Sequence, residues 1–373
     1  MVFNQKRMRV MISGGGTGGH IFPALSIAQA IRMRHPEAEI LFVGAEGRME
    51  MEKVPAAGFR IVGLPVRGFD RSHLWRNIKV LWDLWVSLRK AHALISDYKP
   101  DVAVGVGGYA SGPLLKAAAS KGLPTLIQEQ NSYAGVTNKL LAAKAKSICV
   151  AYPHMDRYFP ADKIVLTGNP VRQDLLQTYD GMRADALQRY GLDPSKQTLL
   201  VFGGSLGARS LNEGMLAGLE SLRANKDVQV IWQTGSYYYQ ALKEQLKDRL
   251  PENVHMHEFL YDMQMAYAAA DLIVSRAGAG SISELSLLSK AVILVPSPNV
   301  AEDHQTKNAM ALVREEAAVL LTDAEARVRL VETAMPLIQQ PKILETLKKN
   351  IHTLAMPDAA NRIVDELEKI VGI

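Results

Sequence analysis

Arg9-Val-Met-Ile-Ser13 runs without a break into Gly14-Gly-Gly-Thr-Gly-Gly-His20, and a helical pattern follows from Pro23. An apolar run, a glycine-rich turn and then a helix is how a doubly wound nucleotide-binding unit begins. The same arrangement returns in the second half, where Leu199-Leu-Val-Phe202 leads into Gly203-Gly-Ser-Leu-Gly-Ala208. Working outward, short apolar runs predict strands over 9–13, 40–44, 60–64, 102–106, 125–128 and 147–151. A second series covers 198–202, 228–233, 254–258, 272–275, 291–295 and 318–321. Helical patterns lie between most of them, among them 23–34, 138–146, 208–222 and 237–250. Strands alternating with helices build parallel sheets through right-handed crossovers. The fold class is therefore α/β, with two Rossmann-like domains in tandem. Gly168-Asn-Pro-Val-Arg172 interrupts local structure and marks the junction.

The 373 residues are 48% hydrophobic and 22% charged, which excludes a mainly disordered chain. No apolar run reaches the ~18 residues that read as a membrane-spanning helix. The basic N-terminus turns glycine-rich before any apolar core of secretory type, so no signal peptide is expected. The single cysteine, Cys149, excludes an intramolecular disulfide and fits a reducing compartment. Charge is divided unevenly. Residues 1–170 hold 22 basic against 12 acidic side chains, and 171–373 hold 21 against 26. A basic half of this kind suits nucleic acid, anionic lipid or a phosphorylated ligand.

The loops carry the chemistry. Gly14, Gly16 and Gly19 fit G-x-G-x-x-G, which serves a tight strand–helix turn or a close approach to an anion. An acid for a nicotinamide dinucleotide is poorly supplied, since Glu46 sits past Gly44-Ala45. His20 is either a polar helix-start residue or a general base. Ser205 adds a hydroxyl to the second glycine turn. Arg276-Ala-Gly-Ala-Gly-Ser281-Ile-Ser-Glu284 opens a helix with small residues, leaving its N-terminus to a diphosphate. Glu284 suits a ribose diol, or caps the helix. His304 and Gln305 follow a strand's carboxyl end and suit sugar hydroxyls; the alternative is a helix start capped at Glu302 or Asp303. Tyr109 and Ser111 in 105–113, and Glu129 and Asn131 in 128–131, occupy equivalent places.

Three of the four tryptophans fall between 75 and 85. Leu74, Ile78, Leu81, Trp82, Trp85 and Leu88 share one helical face, with Arg76, Lys79, Asp83 and Lys90 opposite. That pattern packs its apolar face on a sheet or lies in a membrane interface, and does both if the start of the helix is exposed. No aromatic-rich RNA-binding motif is present, and nucleic acid is not an expected partner.

Taken in order, these segments resemble the lipid-linked N-acetylglucosaminyltransferases of bacterial peptidoglycan synthesis, the MurG family within glycosyltransferase family 28. The resemblance rests on residues 14–20, Gly107-Gly-Tyr-Ala-Ser-Gly-Pro113, Glu129-Gln-Asn131, Ala134-Gly-Val-Thr-Asn138, 168–172, Gly203-Gly-Ser205, 276–284 and Asp303-His-Gln-Thr-Lys-Asn308. It implies GT-B architecture, two Rossmann-like domains with parallel sheets facing across a cleft. Residues 1–168 would form the acceptor and membrane-docking domain and 169–356 the UDP-GlcNAc-binding domain. Residues 357–373 would form a helix returning to the first. The implied reaction is inverting transfer of GlcNAc from UDP-GlcNAc to the MurNAc 4-hydroxyl of lipid I, giving lipid II. By resemblance Arg172 and Ser205 face the donor phosphates, and Ala279, Gly280, Ser281, Ile282, Ser283 and Glu284 cradle diphosphate and ribose. Leu260 lies at the uracil, His304 and Gln305 read the GlcNAc hydroxyls, and Thr17, Gly18, Gly19 and Asn131 complete the donor side. Gly15, Gly16, Tyr109, Ser111 and Asn138 fall to the acceptor. His20 is the first choice of base and Glu129 the second. No metal or other cofactor is implied.

Arg67, Arg71, Trp75, Arg76, Lys79 and Trp82 would dock on the anionic cytoplasmic face of the inner membrane. Cell-wall synthesis and division proteins are further possible partners. Relatives often have His where Gln128 stands and Gln where Leu206 stands, and Leu206 makes no side-chain hydrogen bond. The alternatives are a UDP-GlcNAc 2-epimerase of the same architecture, an NAD-dependent oxidoreductase and a non-catalytic sugar-nucleotide sensor.

Overall fold

The computed structural model describes residues 7–67, 77–171, 175 and 181–373. The chain divides into two compact units, Met1–Arg172 with Met356–Ile373, and Gln173–Ala355.

In the first unit the strands are β1 (Arg9–Ser13), β2 (Glu39–Ala45), β3 (Arg60–Leu64), β4 (Val102–Gly105), β5 (Thr125–Glu129), β6 (Ser147–Val150) and β7 (Ile164–Leu166). They form one parallel sheet in the order β3-β2-β1-β4-β5-β6-β7. Its crossovers include α1 (Gly18–Arg34), α2 (Glu50–Ala56), α3 (Asn77–Tyr98), α4 (Ser111–Ser120) and α5 (Val136–Ala142). The central strands are apolar along their length because helices cover both faces, so no polar alternation is tolerated. Strand order reverses between β1 and β4, whose last residues, Ser13 and Gly105, pair. Loops leaving such a switch point diverge and open a crevice at the carboxyl ends.

The second unit repeats the plan. Its strands are β8 (Gln197–Phe202), β9 (Val228–Gln233), β10 (Val254–His257), β11 (Leu272–Ser275), β12 (Ala291–Leu294) and β13 (Val319–Leu320), in the parallel order β10-β9-β8-β11-β12-β13. Its helices begin with α6 (Arg183–Tyr190), α7 (Arg209–Ala217), α8 (Leu219–Ala224), α9 (Tyr239–Gln245) and α10 (Met263–Ala269). They continue with α11 (Ala279–Leu287), α12 (His304–Val313), α13 (Asp323–Ile338) and α14 (Pro341–Thr353). The last helix, α15 (Ala359–Val371), belongs to the first unit. Its Ala360, Ile363, Val364 and Leu367 join a buried cluster with Ile27, Ile31, Val104 and Cys149. Arg34 reaches Asp365 at 2.5 Å and Glu368 at 2.6 Å along the rim of that packing.

Two local expectations need correction, and a third, left open between packing and exposure, is decided. β7 is an extra edge strand, only half-buried and three residues long, too short to give a periodic signal. The single helix expected over 208–222 is two, α7 and α8, separated at Gly218, where a Cβ would collide with Val331 of α13. Close helix packing thus requires a glycine there, and the helix breaks on it. The third concerns α3. Its Asp83 and Ser87 turn inward, Asp83 pairing with Arg67 at 3.1 Å, while Leu81, Trp82, Leu84 and Trp85 face solvent. The first half of this helix therefore shows its apolar side to water.

Candidate active site

Two groups of loops gather at the carboxyl ends of the strands, one in each unit. In the first unit, Thr17 is the N-cap of α1, and its Oγ1 lies 3.2 Å from His20 Nδ1. When Nδ1 carries the proton and donates to that hydroxyl, Nε2 holds the lone pair a general base needs. The imidazole lies over the neighbouring loop. A Cβ on Gly107 would stand 2.8 Å from His20 Nε2, and Gly107 itself has φ +98°. Only glycine meets both demands. Gly108, φ +88°, passes so close to the Gly15 backbone that a side chain would collide with it. Ser111 is buried and its Oγ donates to Ser13 O at 3.1 Å, so it ties these two loops together. Tyr109 is half-exposed beside them.

Glu129 ends β5 and is buried. Its Oε1 accepts from Asn131 N at 3.0 Å and Asn131 Nδ2 at 3.2 Å. Its Oε2 accepts from Gly135 N at 3.0 Å and Asn138 Nδ2 at 2.9 Å. Burial raises its pKa, against the pull of those four donors. A carboxylate so engaged shapes the loop that carries Asn131, and buried Asn138 serves the same purpose. Gln128, on the interior strand β5, donates through Nε2 to Asn169 Oδ1 at 3.1 Å, and both side chains are buried.

In the second unit, α11 begins at Ala279 behind Gly278, and no side chain caps it. Cβ atoms on Gly278 or Gly280 would meet nothing within 4 Å. An open helix start presents unpaired N–H groups and a partial positive charge, the requirements of an anion site. Glu284 lies one turn along, and its Oε2 accepts from the hydroxyl of buried Tyr267 at 2.9 Å. Arg276 braces the loop from behind. It donates to Val295 O, Pro296 O, Ser210 Oγ and Asp323 Oδ1, the last at 2.7 Å. The Arg276 guanidinium, the Ser210 hydroxyl and Arg327 hold the Asp323 carboxyl below its ordinary pKa despite partial burial.

Gly204 (φ +90°), Ser205 and Leu206 form an exposed turn after β8, where Leu206 projects into solvent. Ser236 N donates to Ser205 O at 3.3 Å and Gly235 N to Glu258 O at 3.1 Å, joining the turns after β8, β9 and β10. Leu260 is buried in the last of these. Ahead of α12, Glu302 and Asp303 both adopt left-handed backbone, φ +56° and +52°. The alternative reading of a capped start is half met. Asp303 is the N-cap, yet its Oδ1 accepts from the Thr306 hydroxyl rather than from the backbone. Strained non-glycine residues persist where the surroundings over-determine them. Here they set His304, while Gln305 Oε1 accepts from Ser297 N at 2.9 Å.

Arg71, Trp75, Arg76 and Arg172 lie outside the described residues. Trp82 is 63% exposed, and its ring centroid is 5.1 Å from that of Trp85, over which Arg89 stacks at 4.9 Å. Lys79 is exposed nearby on the same helix. Among the described residues no helix is long and apolar enough to cross a membrane. A cavity of about 330 Å³ opens beside Arg183, Asp271, Lys290 and Lys348. It lies at the amino ends of β11 and β12, the opposite end of the sheet from the site loops.

Comparison with known proteins assigns the frame. The model of the glycosyltransferase family 28 N-terminal domain matches residues 10–150, and that of the C-terminal domain matches 198–363. The chain belongs to glycosyltransferase family 28. A relative from Parabacteroides distasonis is 60% identical, covering 98% of this chain and 99% of its own. One from Porphyromonas gingivalis is 54% identical, covering 98% and 96%. Both bear the name UDP-N-acetylglucosamine–N-acetylmuramyl-(pentapeptide) pyrophosphoryl-undecaprenol N-acetylglucosamine transferase. The crystal structure of Acinetobacter baumannii MurG superposes with a TM-score of 0.77 at 29% identity, over 97% of this chain and 99% of that one. The family 28 fold is GT-B, two parallel-sheet Rossmann-like domains. A UDP-GlcNAc 2-epimerase from Neisseria meningitidis, TM-score 0.68 at 15% identity over 97% of this chain and all of that one, shares the fold alone.

Sequence reasoning missed Tyr267, Asp323 and Glu50, the last of which accepts from Gly16 N. Each acts on a residue of another element, and no local pattern marks it.

Proposed function

We propose that this chain is an inverting transferase that moves GlcNAc from UDP-GlcNAc to the MurNAc 4-hydroxyl of lipid I, forming lipid II for peptidoglycan. The observation that carries this reading is the end-to-end identity with transferases of that name. The second unit takes the donor. The open start of α11 holds the diphosphate, Glu284 accepts from the ribose diol, Leu260 meets the uracil, and His304 and Gln305 read the sugar. The first unit takes the acceptor at the loops around His20.

Inverting transfer needs a base for the acceptor hydroxyl and a stabiliser for departing UDP. His20 Nε2 removes the proton of the 4-hydroxyl as its oxygen attacks the anomeric carbon on the face opposite the leaving group. The bond to UDP breaks, and the charge developing on the diphosphate is met by the α11 N-terminus and Arg172. Glu129 orients Asn131 instead of taking the proton, since its oxygens already accept four hydrogen bonds.

Lipid I is membrane-anchored, and the first unit carries the matching surface. Leu81, Trp82, Leu84 and Trp85 form an exposed apolar face beside Arg67, Lys79 and Arg89. Tryptophan with flanking cations is the composition of an interfacial helix. The enzyme therefore attaches peripherally to the anionic cytoplasmic leaflet.

UDP release measured with and without lipid I tests the function. Release that depends on lipid I is expected. Release without it, or interconversion of UDP-GlcNAc with its 2-epimer, contradicts the reading. For the membrane, Trp82→Ser with Trp85→Ser should abolish sedimentation with anionic vesicles, and salt should weaken the parent's binding. Unchanged binding in both cases overturns the docking surface.

A further inference from the structure

Glu50 is the first residue of α2 and is completely buried. Its Oε1 accepts from Ala45 N at 3.0 Å, at the end of β2, and its Oε2 accepts from Gly16 N at 2.9 Å. The carboxylate also fills the space where Gly15 and Gly44 lack side chains; a Cβ on Gly15 would run into Oε1 and one on Gly44 into the Glu50 stem. A buried carboxylate is tolerated only when its charge is met, here by two backbone N–H groups and its place in the first turn of α2. The contact on Gly16 falls one residue before Thr17, the N-cap of α1. Thr17 O accepts from His20 N at 3.1 Å, and Thr17 Oγ1 meets His20 Nδ1. An unbroken set of contacts thus runs from Glu50 through Gly16 and Thr17 to the imidazole.

We infer that Glu50 is a positioning residue for the transfer, its carboxylate fixing the 14–20 loop and thereby the place of the His20 ring. This rests on the reading of His20 as the base. A second consequence follows from charge. The Gly16 N–H is already spent on an anion, so this loop disfavours a phosphate at Gly16 and suits the neutral acceptor hydroxyl.

The test compares Glu50→Gln, His20→Ala and the double variant in turnover on lipid I, UDP-GlcNAc affinity by calorimetry and thermal midpoint. The amide of Glu50→Gln keeps the volume but has one acceptor oxygen for two N–H groups. It should fold and bind UDP-GlcNAc as the parent does, while kcat falls about 10- to 100-fold, the effect of a small misplacement of a reacting group. The double variant should be no slower than His20→Ala, because the two act as one unit. A merely structural glutamate would lower stability and give losses that multiply; multiplying losses, parental kcat or an equal loss of donor affinity overturns the proposal. Should Glu50→Gln fail to fold, amide hydrogen exchange in the unsubstituted enzyme decides. Gly16 should be protected relative to Gly18 and Gly19 in the first turn of α1, and equal rates overturn the proposal. His20→Ala by itself reads the base assignment. If it turns over normally, that assignment falls, while Gly16 protection still reports the hold of Glu50 on the loop.

Discussion

The turn after β1 and the helix start after β11 are both glycine-rich and both follow buried strands, yet they differ in electrostatic character. The first has a carboxylate beneath it, bonded to Gly16 N. Neither helix start has a side-chain cap, but the second has open space over Gly278 and Gly280 and, among the described residues, no such carboxylate bond to its glycine turn. A glycine turn before a helix is therefore not an anion site by its letters alone. The neighbouring element decides whether an N–H group such as that of Gly16 is left for a ligand. On the function proposed above, one such turn serves a hydroxyl and its proton and the other a diphosphate.

The sharpest way to break that contrast is His20→Ala. Turnover on lipid I should fall about 100- to 10,000-fold, the range for loss of a general base, with UDP-GlcNAc affinity unchanged. Normal turnover removes His20 from the role. Next comes a pair of alanines. Gly108→Ala places a side chain against the Gly15 backbone at a positive φ, and transfer should drop at least about 100-fold. Gly280→Ala meets no protein atom, so the fold should hold, with a gain of up to about 1 kcal/mol from helix propensity. Its defect should appear in the KM for UDP-GlcNAc. Equal effects of the two on donor KM would erase the distinction between the loops.

Glu284→Gln should raise the donor KM by about 10-fold or more, since a hydrogen bond to a charged group contributes about 1.5–3 kcal/mol. Tyr267→Phe removes only the hydroxyl that orients Glu284 and should raise it by about 10-fold at most. The reverse ranking would show that Tyr267 meets the ligand itself.

The mildest effect lies at the far end of the second sheet. Lys290 Nζ donates to Ala270 O at 2.9 Å, and burial lowers its pKa to about 7. Between that value and the ordinary lysine range the unfolded chain binds a proton that the folded chain does not, so stability rises with pH through that window. Lys290→Met should therefore gain most in melting temperature over the parent near pH 6, with the gap shrinking toward pH 10. A gap independent of pH contradicts this.

The strands were largely legible because buried parallel strands are continuous apolar runs; β1, β3, β9 and β11 have the limits that the apolar runs predict. β7 escaped because three half-buried residues at a sheet edge need little apolar character. The loops that bear the glycines, His20 and Glu284 were readable from residue type and their place after strands. Glu50 was not. It sits in the charged run Arg48-Met-Glu-Met-Glu52, which reads as surface, and its partner Gly16 comes from another crossover. Asp83 misled for the opposite reason. Its helical pattern is amphipathic, but the face turned inward is set by Arg67 and the sheet, and the apolar side is left outward.

A crystal structure of the enzyme soaked with UDP-GlcNAc tests the division of labour most directly. The account predicts the diphosphate on the N–H groups at the start of α11, with Glu284 on the ribose and no phosphate at Gly16. A diphosphate seated on the 14–20 loop would contradict it.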